Sequence, residues 1–171
     1  MADLAQGRVS MTDDHAFEVG RNVATTPGSV VFENELIQLI QYQPVAAKVY
    51  AGPLVIVPPC INKYYILDLQ PENSFVRYAV DQGHTVFMLS WRNITEELGQ
   101  LEWDDYIGKG VIEAIEVSRA IAGTEKINAL GFCVGGTLLG CALAVMAAKG
   151  EDRVESATFL ASMLDFSDTG E

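Results

Sequence analysis

"KINALGFCVGGTLLGCALAVMAAKG", residues 126–150, changes pattern twice. Lys126 to Phe132 is short and apolar and reads as a buried strand, while Thr137 to Lys149 is a longer apolar run ending at Gly150 and reads as a helix. Between them, Cys133 sits with Gly131 two residues before it and Gly135 two residues after. A side chain forced into a strained backbone conformation, where strand and helix cross closely, needs neighbours without Cβ atoms. The opening of the helix presents backbone N–H groups and a positive dipole end to the sulfur. The competing reading of the same stretch is a tight turn with a buried cysteine packed as a small hydrophobe.

Working outward, "PLVIVPP" (53–59) is a β-branched run closed by two prolines, as a buried strand ending in a loop should be. "NSFVRYAVDQG" predicts a short helix closed by Gly83, and "HTVFMLSW" (84–91) another buried strand. Ile107, Val111, Ile115 and Ser118 recur at helical spacing toward Gly123. "SATFLAS" (156–162) is a last strand. Strand and helix therefore alternate from residue 53, which predicts an α/β fold with a mostly parallel sheet and helices on both faces. "VVFENELIQLIQY" (30–42) fits two short strands or one helix, and periodicity does not separate them. The first 28 or so residues are polar and aperiodic and read as an arm.

Composition narrows the function. A formal net charge of −12 argues against nucleic acid, which needs a basic patch. The longest apolar run, 138–148, is too short for a transmembrane segment. The two histidines, His15 and His84, have no metal-ligand spacing, so no metal is expected. The three cysteines make no disulfide framework, and with no secretory signal visible the expected compartment is the cytoplasm. Cys141 reads as core and Cys60 as a residue lining a cleft.

Strand, glycine-flanked nucleophile and helix together make the nucleophile-elbow pattern with cysteine replacing serine, in which the N–H of Val134 faces a developing oxyanion. That pattern expects an acid and then a histidine further along the chain, and no histidine follows Cys133. Lys63 and Arg92 fall near strand ends where an anionic group could reach them, but read first as solvated charge.

"PPCINKYYILDL", "GHTVFMLSWRN", "WDDYI", "KINALGFCVGGTLL" and "LDFSDTG" occur in one order and spacing. In this the chain resembles the class I polyhydroxyalkanoate (poly(3-hydroxybutyrate)) synthases from about Asp13 onward. The resemblance implies an α/β-hydrolase-like fold, truncated after the strand that follows the nucleophile helix. It implies a remnant of an N-terminal region at 1–14 and the incomplete N-terminal part of a catalytic domain at 15–171. The implied reaction is acyl transfer from (R)-3-hydroxyacyl-CoA to a cysteine, polymerisation to a polyester and release of coenzyme A, with no cofactor, at the surface of a cytoplasmic storage granule. A homodimer is compatible with the full-length family enzyme.

Carried over, Cys133 is the nucleophile, Val134 and Ile61 supply oxyanion N–H groups, and Gly131 and Gly135 are the elbow glycines. The family's catalytic aspartate and histidine are expected beyond Glu171, so the chain alone is expected to be inactive as a polymerase. Asp165 and Asp168 lie ahead of where the acid belongs. Two other readings stay open. One is a cysteine-nucleophile esterase or thioesterase; the other is a non-catalytic piece that binds granules or a partner.

Overall fold

The computed structural model describes residue 13 and residues 15–168. Six strands form one sheet: β1 (Gly28–Glu33), β2 (Ile37–Tyr42), β3 (Leu54–Val57), β4 (Val86–Trp91), β5 (Ile127–Phe132) and β6 (Val154–Leu160). Their spatial order is β1-β2-β4-β3-β5-β6. The first two run antiparallel, and β4, β3, β5 and β6 run parallel to one another.

The ambiguous stretch 30–42 is thus a hairpin, shifted to begin at Gly28. Tertiary pairing decides it: Ile37, Leu39 and Tyr42 are buried while Gln38 is exposed, and β2 pairs with β4 from Ile37↔Trp91 to Gln41↔Phe87. Asn34 closes the hairpin, its Oδ1 accepting from the N–H groups of Leu36 and Ile37.

Alternation along the central strands divides the core. Val55, Val57, Phe87, Leu89 and Ala129 face one side, and Ile56, Val86, Met88 and Leu130 the other. The second side is covered by α1 (Phe75–Asp81), which buries Val76, Ala79 and Val80 and is capped by Ser74, whose hydroxyl accepts from the Arg77 N–H. The first side carries two helices. One is α2, a continuous helical run made of Trp103–Asp105, a π-helical stretch Tyr106–Ile112, and Glu113–Ala122. The other is α3 (Val134–Ala148), which buries Leu138, Leu139, Ala142 and Met146. Each large side chain buried in this way stabilises the fold by about 1.5–3 kcal/mol. The expected periodicity of α2 holds, since Ile107, Val111, Ile115 and Ser118 are all buried, and Gly123 ends it at φ 64°.

Several expected boundaries move. α3 begins at Val134, three positions before the apolar run, because the turn at Cys133 already starts the helix. β6 spans Val154–Leu160, pairing with β5 from Ile127↔Val154 to Phe132↔Leu160. Of the expected arm at 1–14, only Asp13 is described. The polar stretch after it is docked: Val23 is buried, the Ala24 N–H donates to the Asp68 carbonyl at 2.9 Å, and Thr26 Oγ1 donates to the Asp68 carboxylate at 2.6 Å. At the far edge Phe159, Leu160, Met163, Leu164 and Phe166 are exposed.

Tyr42 is buried with its hydroxyl unpartnered. Burial first, then the nearby Asp68 and Tyr64, pushes its phenol well above the ordinary tyrosine range. A pKa raised in the folded state contributes stability below the unfolded value, near pH 10, and that contribution is lost as pH climbs through the folded value. Tyr42→Phe should therefore be neutral or mildly stabilising at pH 7 and should flatten the loss of stability above about pH 10, as read from denaturant midpoints across pH.

Candidate active site

At the end of β5 the chain turns through Cys133 at φ 53° and ψ −125°, a left-handed-side conformation that costs a non-glycine residue of the order of 1–3 kcal/mol. Hydrogen bonds hold the turn on both sides. The Cys133 N–H donates to Leu160 O on β6 at 2.9 Å, and the Cys133 carbonyl accepts from Gly136 at 2.9 Å and Thr137 at 3.3 Å. Backbone contact surrounds it. A Cβ on Gly131 would overlap the Gly136 backbone, and one on Gly135 would overlap the carbonyl oxygens of Val57 and Pro58. A Cβ on Gly136 would overlap Ser162. Gly136 thus shares the close backbone packing of Gly131 and Gly135. The doubled glycine in "CVGG" was its signal.

Cys133 is a free, half-buried thiol at the N-terminus of a 15-residue helix whose first turn carries no acidic residue. Val134 is the first residue of that helix, so its N–H has no intrahelical acceptor.

Ile61 lies in the loop that leaves β3. Because Val57 pairs with Gly131, this loop emerges next to the elbow at the same end of the sheet. A turn closed by Asn62 N–H to Pro59 O at 3.2 Å carries Ile61, whose side chain is exposed. Cys60, one residue earlier, is half-buried against the core, and burial raises its thiol pKa. Cys141 packs against the same core from within α3, as expected.

The loop contains a contact the sequence did not announce. The buried Trp91 indole donates from Nε1 to Pro58 O at 2.8 Å. Its ring lies 5.5 Å from that of Tyr106, and Gly110 in the π-helical stretch leaves room for it.

Neither histidine joins Cys133. His84 precedes β4, at the opposite end of the parallel strands, about 20 Å away for six residues of strand. It packs on Tyr50 with ring centroids 4.9 Å apart. His15 is exposed, its backbone N–H donating to Asp13. Asp165 is exposed, and the Ser167 N–H it accepts holds its carboxyl below the usual range. At the elbow's end of the sheet, Lys63, Tyr64, Tyr65, Trp91 and Asn93 help line a cavity of about 360 Å³, with Lys63 Nζ donating to Asn93 Oδ1 at 2.5 Å. Arg92 donates to Glu35 O at 3.4 Å. Among the described residues no group of three or more His, Cys, Asp or Glu could hold a metal, and no helix is long and apolar enough to cross a membrane.

The arrangement presents a thiol on a strained turn at a helix N-terminus, with the Val134 N–H free of an intrahelical acceptor, which suits attack on an acyl carbonyl.

Comparison with known proteins shows what the chain is similar to. Residues 53–171 match the family model described as "alpha/beta hydrolase fold", and residues 1–79 match "Poly-beta-hydroxybutyrate polymerase (PhaC) N-terminus". The chain is 62% identical over 170 residues to the poly(3-hydroxyalkanoate) polymerase subunit PhaC of Cupriavidus necator, covering 99% of this chain and 29% of that protein. It is 42% identical over 173 residues to the corresponding subunit of Rhizobium meliloti, covering 99% and 28%. The chain thus spans less than a third of the length of these relatives. Among solved structures, a sugar hydrolase from Lactococcus lactis superposes with a TM-score of 0.55 at 15% identity, over 84% of this chain and 58% of that one.

Proposed function

Because this chain belongs to the alpha/beta hydrolase fold family, we propose that it carries the nucleophile half of a polyhydroxyalkanoate synthase site, with Cys133 as acyl acceptor. The observation that carries the proposal is Cys133 at φ 53° between β5 and α3, with backbone packed against the glycines around it. The sequence likeness to poly(3-hydroxyalkanoate) polymerases supports the substrate class, an (R)-3-hydroxyacyl-CoA thioester.

In the first step Cys133 Sγ attacks the thioester carbonyl. The tetrahedral oxyanion sits on the N–H groups of Val134 and Ile61, the C–S bond to coenzyme A breaks, and the thiol leaves with the proton. In the second, the 3-hydroxyl of another hydroxyacyl unit attacks the acyl-cysteine: a new ester forms, the C–S bond to Cys133 breaks, and the hydroxyl's proton ends on the released Cys133 sulfur, lengthening the chain by one ester. That hydroxyl needs a base, and loss of a general base costs about 10²–10⁴-fold. His84 stands at the wrong end of the sheet to serve. The chain by itself therefore accepts one acyl group and stalls. In the cell we place the reaction in the cytoplasm, at the polyester surface where product accumulates.

The test is coenzyme A release from (R)-3-hydroxybutyryl-CoA, beside Cys133→Ala. One equivalent per chain, absent in the variant, is expected. Continuous release with polymer would overturn the stall. Free 3-hydroxybutyrate would establish the esterase reading, and no release from a folded wild-type chain would establish the non-catalytic one.

A further inference from the structure

We propose that Trp91 is a positioning residue for acyl transfer: its indole N–H holds the Pro58 carbonyl and thereby sets where the loop of the second oxyanion donor, Ile61, comes to rest. The inference rests on the reading of Cys133 as the acylated nucleophile.

Four observations support it. First, Pro58 and Pro59 have no N–H to give, so the loop leaving β3 lacks the ladder bonds that would otherwise anchor it. Second, what remains is sparse. The Asn62 N–H to Pro59 O bond is internal to the turn, Lys63 Nζ reaches Asn93 Oδ1 through an exposed side chain at the loop's far end, and the buried Trp91 Nε1 to Pro58 O bond, at 2.8 Å, ties the loop's start to β4. Trp91 is 7% exposed, so water does not readily substitute for the indole.

Third, the same Pro58 carbonyl is packed against Gly135 of the elbow. One peptide group is thus held between the helix that carries the Val134 N–H and the indole, and its position couples both donors. Fourth, α2 is shaped around the indole. A Cβ on Gly110 would lie 2.6 Å from the Cη2 and Cζ3 ring atoms, and Gly110 sits in the π-helical stretch Tyr106–Ile112. π-Helical geometry is uncommon and recurs at functional sites. Tyr106 from the same stretch flanks the ring. β4 and the widened α2 together make a rigid socket for a side chain whose one polar atom is spent on the loop.

The experiment separates positioning from general support by giving Cys133 two reagents. Acylation by p-nitrophenyl acetate passes through a tetrahedral oxyanion. Alkylation by iodoacetamide does not, yet still needs a folded, accessible elbow. Rates at Cys133 are followed by p-nitrophenolate release and by peptide mass, for the wild-type chain, Trp91→Phe and Gly110→Ala. Trp91→Phe removes the N–H, and Gly110→Ala pushes the indole with its N–H intact.

Both variants are expected to slow acylation at least about 10-fold, short of the 10²–10³ that loss of a whole oxyanion donor costs, with alkylation within about 2-fold of wild type. Acylation at the wild-type rate in both variants overturns the proposal, as does an equal fall in the two reactions, which would mark Trp91 as structural only. A wild-type chain that is alkylated but not acylated sinks the nucleophile reading itself, and the role assigned to Trp91 with it.

Discussion

Gly135→Ala is expected to lose both the fold around the elbow and acyl transfer. The added Cβ would fall on the carbonyl oxygens of Val57 and Pro58, and both are backbone atoms that no rotamer change can move. To make room, either α3 must retreat from β3 or the loop must shift. The first opens the packing of Leu138, Leu139 and Ala142 against the sheet. The second displaces Ile61, the residue proposed as the second oxyanion donor. Overpacking that moves backbone costs about 1–3 kcal/mol and occasionally more, and a contact with two rigid carbonyls belongs at the upper end. A control lies in the same helix. Gly140 also sits in α3, but a Cβ there would crowd just the tip of the exposed Leu164 side chain, which can swing away, and would touch the Phe159 ring at an ordinary 3.9 Å. Gly140→Ala gains about 0.8–1.0 kcal/mol of helix propensity against that small adjustment and should be near neutral. Thermal unfolding of the two variants, with p-nitrophenolate release as the activity readout, checks the contrast. Equal effects at the two positions would show that glycine is needed in α3 for reasons other than contact with the β3 carbonyls.

The second large effect is expected at Asp68. This carboxylate is 1% exposed and accepts at Oδ1 from Thr26 Oγ1 and from Ser74 Oγ, each at 2.6 Å. Two distant segments meet on it: the stretch leading into β1, and the N-cap of α1. Asp68→Ala deletes the oxygen that accepts both bonds and leaves the buried hydroxyls of Thr26 and Ser74 without it. Hydrogen bonds to a charged acceptor contribute about 1.5–3 kcal/mol each, and relief of the buried charge offsets part of that, for a net loss of about 2–4 kcal/mol. Asp68→Asn keeps an oxygen acceptor of the same shape and should recover more than half. Urea midpoints measure the pair. Limited proteolysis adds a local readout, because the alanine variant should be cut near residues 15–27 well before the core opens. Protection of that stretch in Asp68→Ala would show that the Ala24 N–H to Asp68 O bond and the burial of Val23 suffice to dock it.

The turn at Cys133 is legible in the sequence itself. Glycine at 131 and 135, a β-branched or apolar run on one side and a long apolar run on the other leave few conformations for Cys133, and local sterics dictate the outcome. The alternation of elements from residue 53, the amphipathic face of α2 and the stops at Gly83 and Gly123 were legible for the same reason. Hydrophobic period and glycine chemistry act within a few residues of chain.

Tertiary structure decided what depends on a distant partner. Residues 30–42 became a hairpin because β4 offers β2 a strand to pair with, from Ile37↔Trp91 onward. The polar stretch before β1 became docked because Asp68, 42 residues along, accepts its threonine. Trp91 reads in sequence as one more strand hydrophobe. Only the fold brings its Nε1 to the Pro58 carbonyl, 33 residues earlier, and a π-helical turn with Gly110 to its ring. Local pattern specified the turn at Cys133, since strain at one residue is set by its neighbours. The frame that holds the loop after β3 was set by packing, since a hydrogen bond between residues far apart in sequence leaves no period to read.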